Sequence, residues 1–238
     1  MIVNPQGKSF FLGYLISKVN ENRFFLEMVV DGCDDGERNY RKGLTSNEAP
    51  YNQVVYGFSA LGNTIQSIKD CSNEMLLSKI TWGDIKNLKC GRFMYGARNA
   101  MTHDGNPVVN CCINGKCYAG LDIERIYDGK IIKIERPSED IKHVCLSFVK
   151  EFSNLLLKRF SDAFKEVKIR GELNIDMIEQ ALHHPMSRGL DSIVLDQLKA
   201  ELLAQKDVIE EKVGQTKMDE LIKILHSLKG YCEDRLTA

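Results

Sequence analysis

Three polar residues in one short segment, Arg98, Asn99 and His103, are of the types that act on a phosphodiester. An arginine guanidinium binds a phosphate through two parallel hydrogen bonds, and an amide can orient a neighbouring group. A histidine exchanges a proton near neutral pH and can serve as general acid or base. The sequence therefore predicts a site for phosphate chemistry within residues 96–105.

The spacing of these residues limits how their side chains can meet. At about 100° per residue, Asn99 and His103 lie on one helix face, whereas Arg98 and His103 diverge by about 140°. Convergence needs either a helix that ends at His103, as Asp104 and Gly105 suggest, or two copies of the chain in a symmetric dimer. In the alternative without chemistry, the histidine only stabilises the helix dipole.

The pattern Arg98-Asn99-x-x-x-His103, followed by Asp-Gly, resembles the signature of the HEPN family. That family comprises small helical bundles, often dimeric, many of which are metal-independent ribonucleases. The likeness is close over the motif and loose over residues 51–168. It implies that Arg98 binds the scissile phosphate or stabilises its transition state, and that His103 is general acid or base. Asn99 would position either His103 or the phosphate. The resemblance implies RNA as the substrate, because the 2′-hydroxyl is the internal nucleophile when no metal supplies an activated water. No cofactor and no metal are expected.

The resemblance implies two alternative functions. The first is a metal-independent endoribonuclease that acts on RNA as a homodimer, as a toxin or antiviral-defence effector restrained by a neutralising antitoxin or regulatory protein. The second is a catalytically inactive HEPN-like module for dimerisation, nucleotide binding or protein interaction. If the motif is coincidental, the chain is a helical protein without this chemistry. Trp82 and the tyrosines show no interleaving with basic residues of the kind found in single-strand stacking platforms.

The helices that carry the motif are predicted from apolar spacing. Residues 8–30 and the segment from about Tyr51 have the three-to-four-residue spacing of buried helices. Residues 31–49, with three glycines among charges, are expected to form a loop. Thr81 and Asp84 fit a capping box, and the dipeptide 104–105 followed by Pro107 predicts where the motif helix ends.

Residues 108–136 change to the period of strands. Two dipeptides, Asn-Gly at 114–115 and Asp-Gly at 128–129, favour type I′ turns, so the segment predicts an inserted three-stranded antiparallel β-meander. Ser138 is expected to cap a long helix that runs to about residue 167. The predicted fold is mostly α (α+β), with an HEPN-like helical domain over residues 1–170. Residues 171–238 are predicted to form a helical C-terminal extension, either a hairpin or a small subdomain.

The composition is that of a globular protein, with 238 residues, 43% hydrophobic residues and a net charge of −1. Residues 51–170 carry a surplus of positive charge, which is compatible with a polyanion partner. The start of the chain lacks the basic and apolar regions of a secretion signal, and no apolar run is long enough for a membrane span. We therefore expect a cytoplasmic protein with no membrane contact.

The eight cysteines do not indicate a disulfide framework in a chain without an export signal. Their tightest group, Cys111, Cys112 and Cys117, lacks the paired spacing of structural zinc ligands. No metal site is predicted there, and most of the cysteines are expected to be buried as small apolar side chains.

Overall fold

The computed structural model describes residues 5–44, 48–166 and 192–237. Within these ranges the helices are α1 (Pro5–Arg41), α2 (Ala49–Met75), α3 (Trp82–Lys86), α4 (Gly91–Asp104), α5 (Ile141–Glu166), α6 (Ser192–Ala204) and α7 (Lys206–Thr237). The strands are β1 (Cys111–Ile113), β2 (Lys116–Tyr118), β3 (Ile123–Tyr127) and β4 (Lys130–Ile134). The predicted mostly α fold with a small β component is confirmed.

Helices α1 and α2 form an antiparallel pair at the centre of the bundle. Near the middle of the pair, Asn22 Nδ2 donates a hydrogen bond to Thr64 Oγ1 at 2.6 Å, and both side chains are buried. Towards the end of α1, Gly32 lies so close to α2 that a Cβ on it would be 2.9 Å from Val54 Cγ2. Apolar side chains of both helices and of α5 fill one continuous core, among them Phe58, Phe148, Phe152 and Phe160.

Helix α7 belongs to the same core. Its residues Met218, Leu221, Leu225, Leu228 and Cys232 are buried in the cluster that α1, α2 and α5 form. Asp34 of α1 joins three helices, because it pairs with Lys142 of α5 at 2.6 Å and with Arg235 of α7. The C-terminal segment is therefore helical over 192–237, while the boundary predicted at residue 170 lies outside the described residues.

The predicted loop over residues 31–49 is wrong, because α1 continues to Arg41. Gly32 and Gly36 permit close packing within the helix, whereas Gly43, with a φ of 71°, lies in the turn that follows it. Gly32 approaches α2, and a Cβ on Gly36 would lie 2.8 Å from the Gly115 carbonyl oxygen of the β1–β2 turn. Glycine in a helix costs about 1 kcal/mol relative to alanine, and here the absent side chain lets two neighbouring elements approach.

The predicted three-stranded meander is replaced by two separate two-stranded sheets, β1–β2 and β3–β4. The expected strand over residues 116–127 is interrupted between Tyr118 and Ile123, where side chains and backbone form hydrogen bonds with each other. Asn110 Oδ1 accepts a hydrogen bond from Gly120 N at 2.7 Å, and Asp122 Oδ1 accepts one from Arg136 N at 3.0 Å. These bonds replace the strand-to-strand ladder at that point.

The predicted helix cap is confirmed at α3, whereas at α5 the cap lies at a different residue from the predicted one. Thr81 and Asp84 form the predicted capping box of α3. The long helix begins at Ile141, and its cap is Asp140, whose Oδ1 accepts from His143 N at 2.8 Å. The prediction of Ser138 as cap is wrong by two residues. None of the helices in the described ranges is long and apolar enough to cross a membrane.

Candidate functional site

Helix α4 carries the whole motif without interruption. It includes His103 and ends at Asp104, and Gly105 has a φ of 64° and donates its N–H to the Ala100 carbonyl oxygen. The predicted stop at Asp104 and Gly105 is therefore confirmed, whereas a helix that already ends at His103 is not. The helix does not stop at His103, so within one chain the Arg98 and His103 side chains leave α4 in different directions.

Arg98 lies on the side of α4 that faces α2. A Cβ on Gly62 of α2 would be 3.6 Å from Arg98 Cβ, so the two helices cross closely there. The guanidinium donates from Nη1 to Asn99 Oδ1 at 2.7 Å. Arg98 Nε is buried and has no hydrogen-bond partner among the described residues. The arginine is thus bonded to its motif neighbour and retains unused donor capacity.

An acidic residue of α2 lies within range of the Arg98 charge. Burial raises the pKa of Asp70, but hydrogen bonds from Lys69 and Gln66, together with the positive charges of Lys69 and Arg98, hold it below its usual range. Lys69 Nζ is 2.6 Å from Asp70 Oδ1. The carboxylate therefore keeps its charge and compensates part of the positive charge on this side of α4.

Asn99 and His103 line an open groove of about 1160 Å³ between α4 and the β3–β4 hairpin, whereas Arg98 does not line it. Asn99 is buried and His103 is exposed. Strand β4 lies directly on α4 at Gly96, where a Cβ would be 2.2 Å from Ile134 Cδ1. The structure therefore brings two of the three predicted residues to one groove and connects the third through a hydrogen bond to Asn99.

An ion pair joins the hairpin to the end of α4. Arg125 of β3 binds both carboxylate oxygens of Asp104, the residue after His103. The hydrogen bond and charge of Arg125, with a smaller contribution from the charge of His103, hold the pKa of Asp104 below its usual range.

Basic side chains outnumber acidic ones in the lining of the groove. One acidic side chain, Glu135, accompanies five basic ones, namely Lys86, Arg92, Arg125, Lys133 and Arg136. Three of the basic groups have partners: Arg125 binds Asp104, Lys133 pairs with Asp122 at 3.1 Å, and Arg136 donates to the Gly120 carbonyl. Arg92 is exposed in the first turn of α4. A concave surface of this charge attracts polyanions.

Aromatic and basic residues meet beside the groove, which the sequence did not predict. The rings of Trp82 and Tyr95 lie 4.8 Å apart at 56°. Lys69 Nζ lies 5.4 Å from the Trp82 ring centroid, and Lys86 Nζ lies 4.2 Å from that of Tyr95. These residues come from α2, α3 and α4. No interleaving is visible along the chain because the packing of three helices creates it.

The predicted cysteine group lies apart from this groove, on the β1–β2 hairpin. All eight cysteines are free, and Cys112 and Cys117 face each other across the hairpin with their Sγ atoms 3.8 Å apart. Among the described residues, no group of three or more His, Cys, Asp or Glu side chains is placed to hold a metal ion.

Comparisons with known proteins do not assign a family or a function to this chain. Comparison of the chain with known protein families, with curated proteins and with solved structures finds no match. The functional interpretation therefore depends on the residues of the groove and on the motif that they contain.

Proposed function

We propose that this protein is a metal-independent endoribonuclease of HEPN type, with RNA bound along the basic groove beside α4. One observation carries the proposal: Asn99 and His103 line a positively charged groove, and Arg98 is hydrogen-bonded to Asn99. The exposed histidine is available to a bound phosphodiester, and the basic side chains supply the sequence-independent attraction of a phosphate backbone.

In the proposed reaction the substrate supplies its own nucleophile. His103 takes the proton of the ribose 2′-hydroxyl, the 2′-oxygen bonds to phosphorus, and the bond from phosphorus to the 5′-oxygen breaks. The products carry a 2′,3′-cyclic phosphate and a 5′-hydroxyl. Arg98, oriented by Asn99, compensates the charge that develops on the phosphate oxygens.

The proposed active form is a homodimer. Cleavage moves two protons, one from the 2′-hydroxyl and one to the leaving 5′-oxygen, and a single α4 offers one histidine to the groove. Within one chain the Arg98 and His103 side chains diverge and cannot meet. A second copy supplies a second His103 and places the Arg98 of one copy near the His103 of the other. Such an enzyme in the cytoplasm damages its own cell, so the proposal includes a toxin or antiviral-defence role and a neutralising protein partner.

Cleavage of single-stranded and structured RNA in excess EDTA tests the proposal. We expect the wild-type protein to leave 2′,3′-cyclic phosphate ends and His103→Ala to lose at least about 100-fold in rate, the typical contribution of a general acid or base. His226→Ala is the matched control, because His226 is an exposed histidine on α7. Equal cleavage by the wild-type protein and His103→Ala would contradict the proposal.

The second candidate function is an RNA- or nucleotide-binding module without catalysis. It is favoured by the bond of Arg98 to Asn99 and by the absence of Arg98 from the groove lining. In that case RNA remains intact with every variant, while fluorescence anisotropy still detects binding that weakens in Arg92→Ala. Cyclic-phosphate ends produced by the wild-type protein alone would exclude this candidate.

A further inference from the structure

Three thiols meet where the β1–β2 hairpin packs on α1. Cys112 and Cys117 are paired directly across the two strands, with 3.8 Å between their Sγ atoms. Cys33 of α1 interacts with the Cys117 thiol, and this contact contributes to a raised pKa of Cys117. The hairpin thus presents two thiols to each other, and a third thiol contacts one of them.

The register of the hairpin suits a bond between Cys112 and Cys117. Residues 114 and 115 form the turn, Ile113 and Lys116 flank it, and Cys112 and Cys117 are the next pair. Because hydrogen-bonded and non-hydrogen-bonded pairs alternate along an antiparallel ladder, this pair occupies the closer, non-hydrogen-bonded position. The Cα separation of about 4.5 Å at such positions lies within the range that a disulfide bridges.

The pair is accessible through a small cavity of about 290 Å³, which both thiols and Tyr51 line. Cys112 is exposed, whereas Cys117 is only 3% exposed. Tyr51 donates its hydroxyl to the Val109 carbonyl oxygen at 3.0 Å, which holds this lining residue in place. A small reagent can therefore reach Cys112 first and leave Cys117 as the thiol that resolves the intermediate.

We propose that Cys112 and Cys117 are a thiol–disulfide exchange site. A small-molecule disulfide oxidises the two thiols, and a reversible disulfide forms between Cys112 and Cys117. The Cys112 thiolate attacks one sulfur of the reagent, which releases one thiol and leaves a mixed disulfide. The Cys117 thiolate then attacks Cys112 Sγ and releases the second thiol. Two protein thiols are oxidised and one reagent disulfide is reduced to two thiols, so atoms and electrons balance.

The rate of this exchange follows the thiolate fraction. Partial burial of the Cys112 sulfur and the neighbouring thiols Cys117 and Cys111 raise the pKa of Cys112 to about 11. Few of these thiols are ionised at neutral pH, so exchange accelerates as the pH rises. The experiment is accordingly run at mildly alkaline pH.

The test treats the full chain with glutathione disulfide, blocks the remaining free thiols and digests the protein with trypsin. Cleavage after Lys116 places the two cysteines on different peptides, 99–116 and 117–125. We expect these peptides to be joined by a disulfide, with the mass of two hydrogen atoms lost, and to separate on reduction. Two blocked, unlinked peptides would overturn the proposal.

Two variants assign the bond to one cysteine of peptide 99–116. Cys112→Ser should abolish the link, whereas Cys111→Ser, the matched control at the adjacent position, should retain it. Cys112 is exposed, so its replacement leaves the core intact. A link from peptide 117–125 to peptide 24–38, which contains Cys33, would overturn the assignment, as would loss of the link in Cys111→Ser.

Discussion

The two hairpins of this protein have the same type of turn and differ in the elements that they pack against. In the β1–β2 turn Asn114 and Gly115 have φ values of 53° and 80°, and in the β3–β4 turn Asp128 and Gly129 have values of 50° and 68°. Both turns have the positive φ at two residues that type I′ requires. The first hairpin packs on α1 and presents thiols, whereas the second covers α4 and forms one wall of the basic groove.

Different anchors explain the different roles. The first hairpin touches α1 backbone to backbone and places Lys116 within 3.8 Å of Glu37 and 3.7 Å of Asp140. The second is held on α4 by Ile134 and Arg125, while its other face leaves Ile131 exposed. Turn formation is therefore a local property of the sequence, and the chemistry that each hairpin presents is a consequence of its packing.

The largest expected effect is the difference in stability loss between alanine substitutions at the two turn glycines, Gly115 and Gly129. A Cβ on Gly115 would meet backbone atoms at 2.6–2.9 Å, whereas a Cβ on Gly129 would meet nothing within 4 Å. Gly129→Ala carries only the left-handed penalty of about 1–2 kcal/mol. Gly115→Ala carries that penalty and an overpacking cost of about 1–3 kcal/mol. Urea unfolding measures both, and equal losses would show that the first hairpin is not anchored through its turn.

The next effect concerns the contact between α4 and the second hairpin. Gly96→Ala should destabilise the protein, because overpacking against Ile134 costs about 1–3 kcal/mol while the gain in helix propensity is about 1 kcal/mol. In an Ile134→Ala background the same change should become stabilising. Gly230→Ala in α7 is the control, since nothing lies within 4 Å of a Cβ there. Destabilisation by Gly96→Ala in both backgrounds would contradict direct packing on Ile134.

A smaller effect tests whether the groove binds a phosphate backbone. Arg92→Ala removes an exposed groove arginine, so the slope of log affinity against log salt for single-stranded RNA should fall by about 0.7. Arg38→Ala is the control, because Arg38 lies on α1 and pairs there with Asp35 at 2.8 Å. Fluorescence anisotropy at several salt concentrations measures the slope, and an equal fall in both variants would contradict a specific role for the groove.

The details predicted correctly from sequence have a local cause, although the local signal at Ser138 lies two residues before the actual cap at Asp140. The two turns, the capping box at Thr81 and the end of α4 at Gly105 depend on residues a few positions apart, and all are confirmed. The continuation of α1 to Arg41 was not predictable, because glycines among charges usually mark a loop. The role of Gly32 and Gly36 depends on the elements that pack against them.

In the candidate site, too, features that depend on local spacing were predicted, and features that depend on packing were not. Helical spacing places Asn99 and His103 on one face, and both line the groove. The same spacing turns Arg98 away from His103, but the motif does not encode the close approach of α2, which Arg98 meets at Gly62. The basic groove wall and the cluster of Trp82 and Tyr95 depend on contacts between distant segments, so periodicity and spacing could not reveal them.

The smallest expected effect is the pH dependence of the ion pair between Arg125 and Asp104. Arg125 lowers the pKa of Asp104 in the folded state, so the pair stabilises the protein above the ordinary pKa of 3.8 and loses this effect as the pH falls through the lowered value. The difference in unfolding free energy between the wild-type protein and Arg125→Met should therefore be constant near neutral pH and vanish in acid. By NMR the Asp104 carboxyl should titrate at higher pH in this variant. Lys133→Met, which breaks the pair with Asp122 on the same hairpin, should leave the titration of Asp104 unchanged. A shift in both variants would mean that Asp104 responds to the charge of the whole hairpin and not to Arg125.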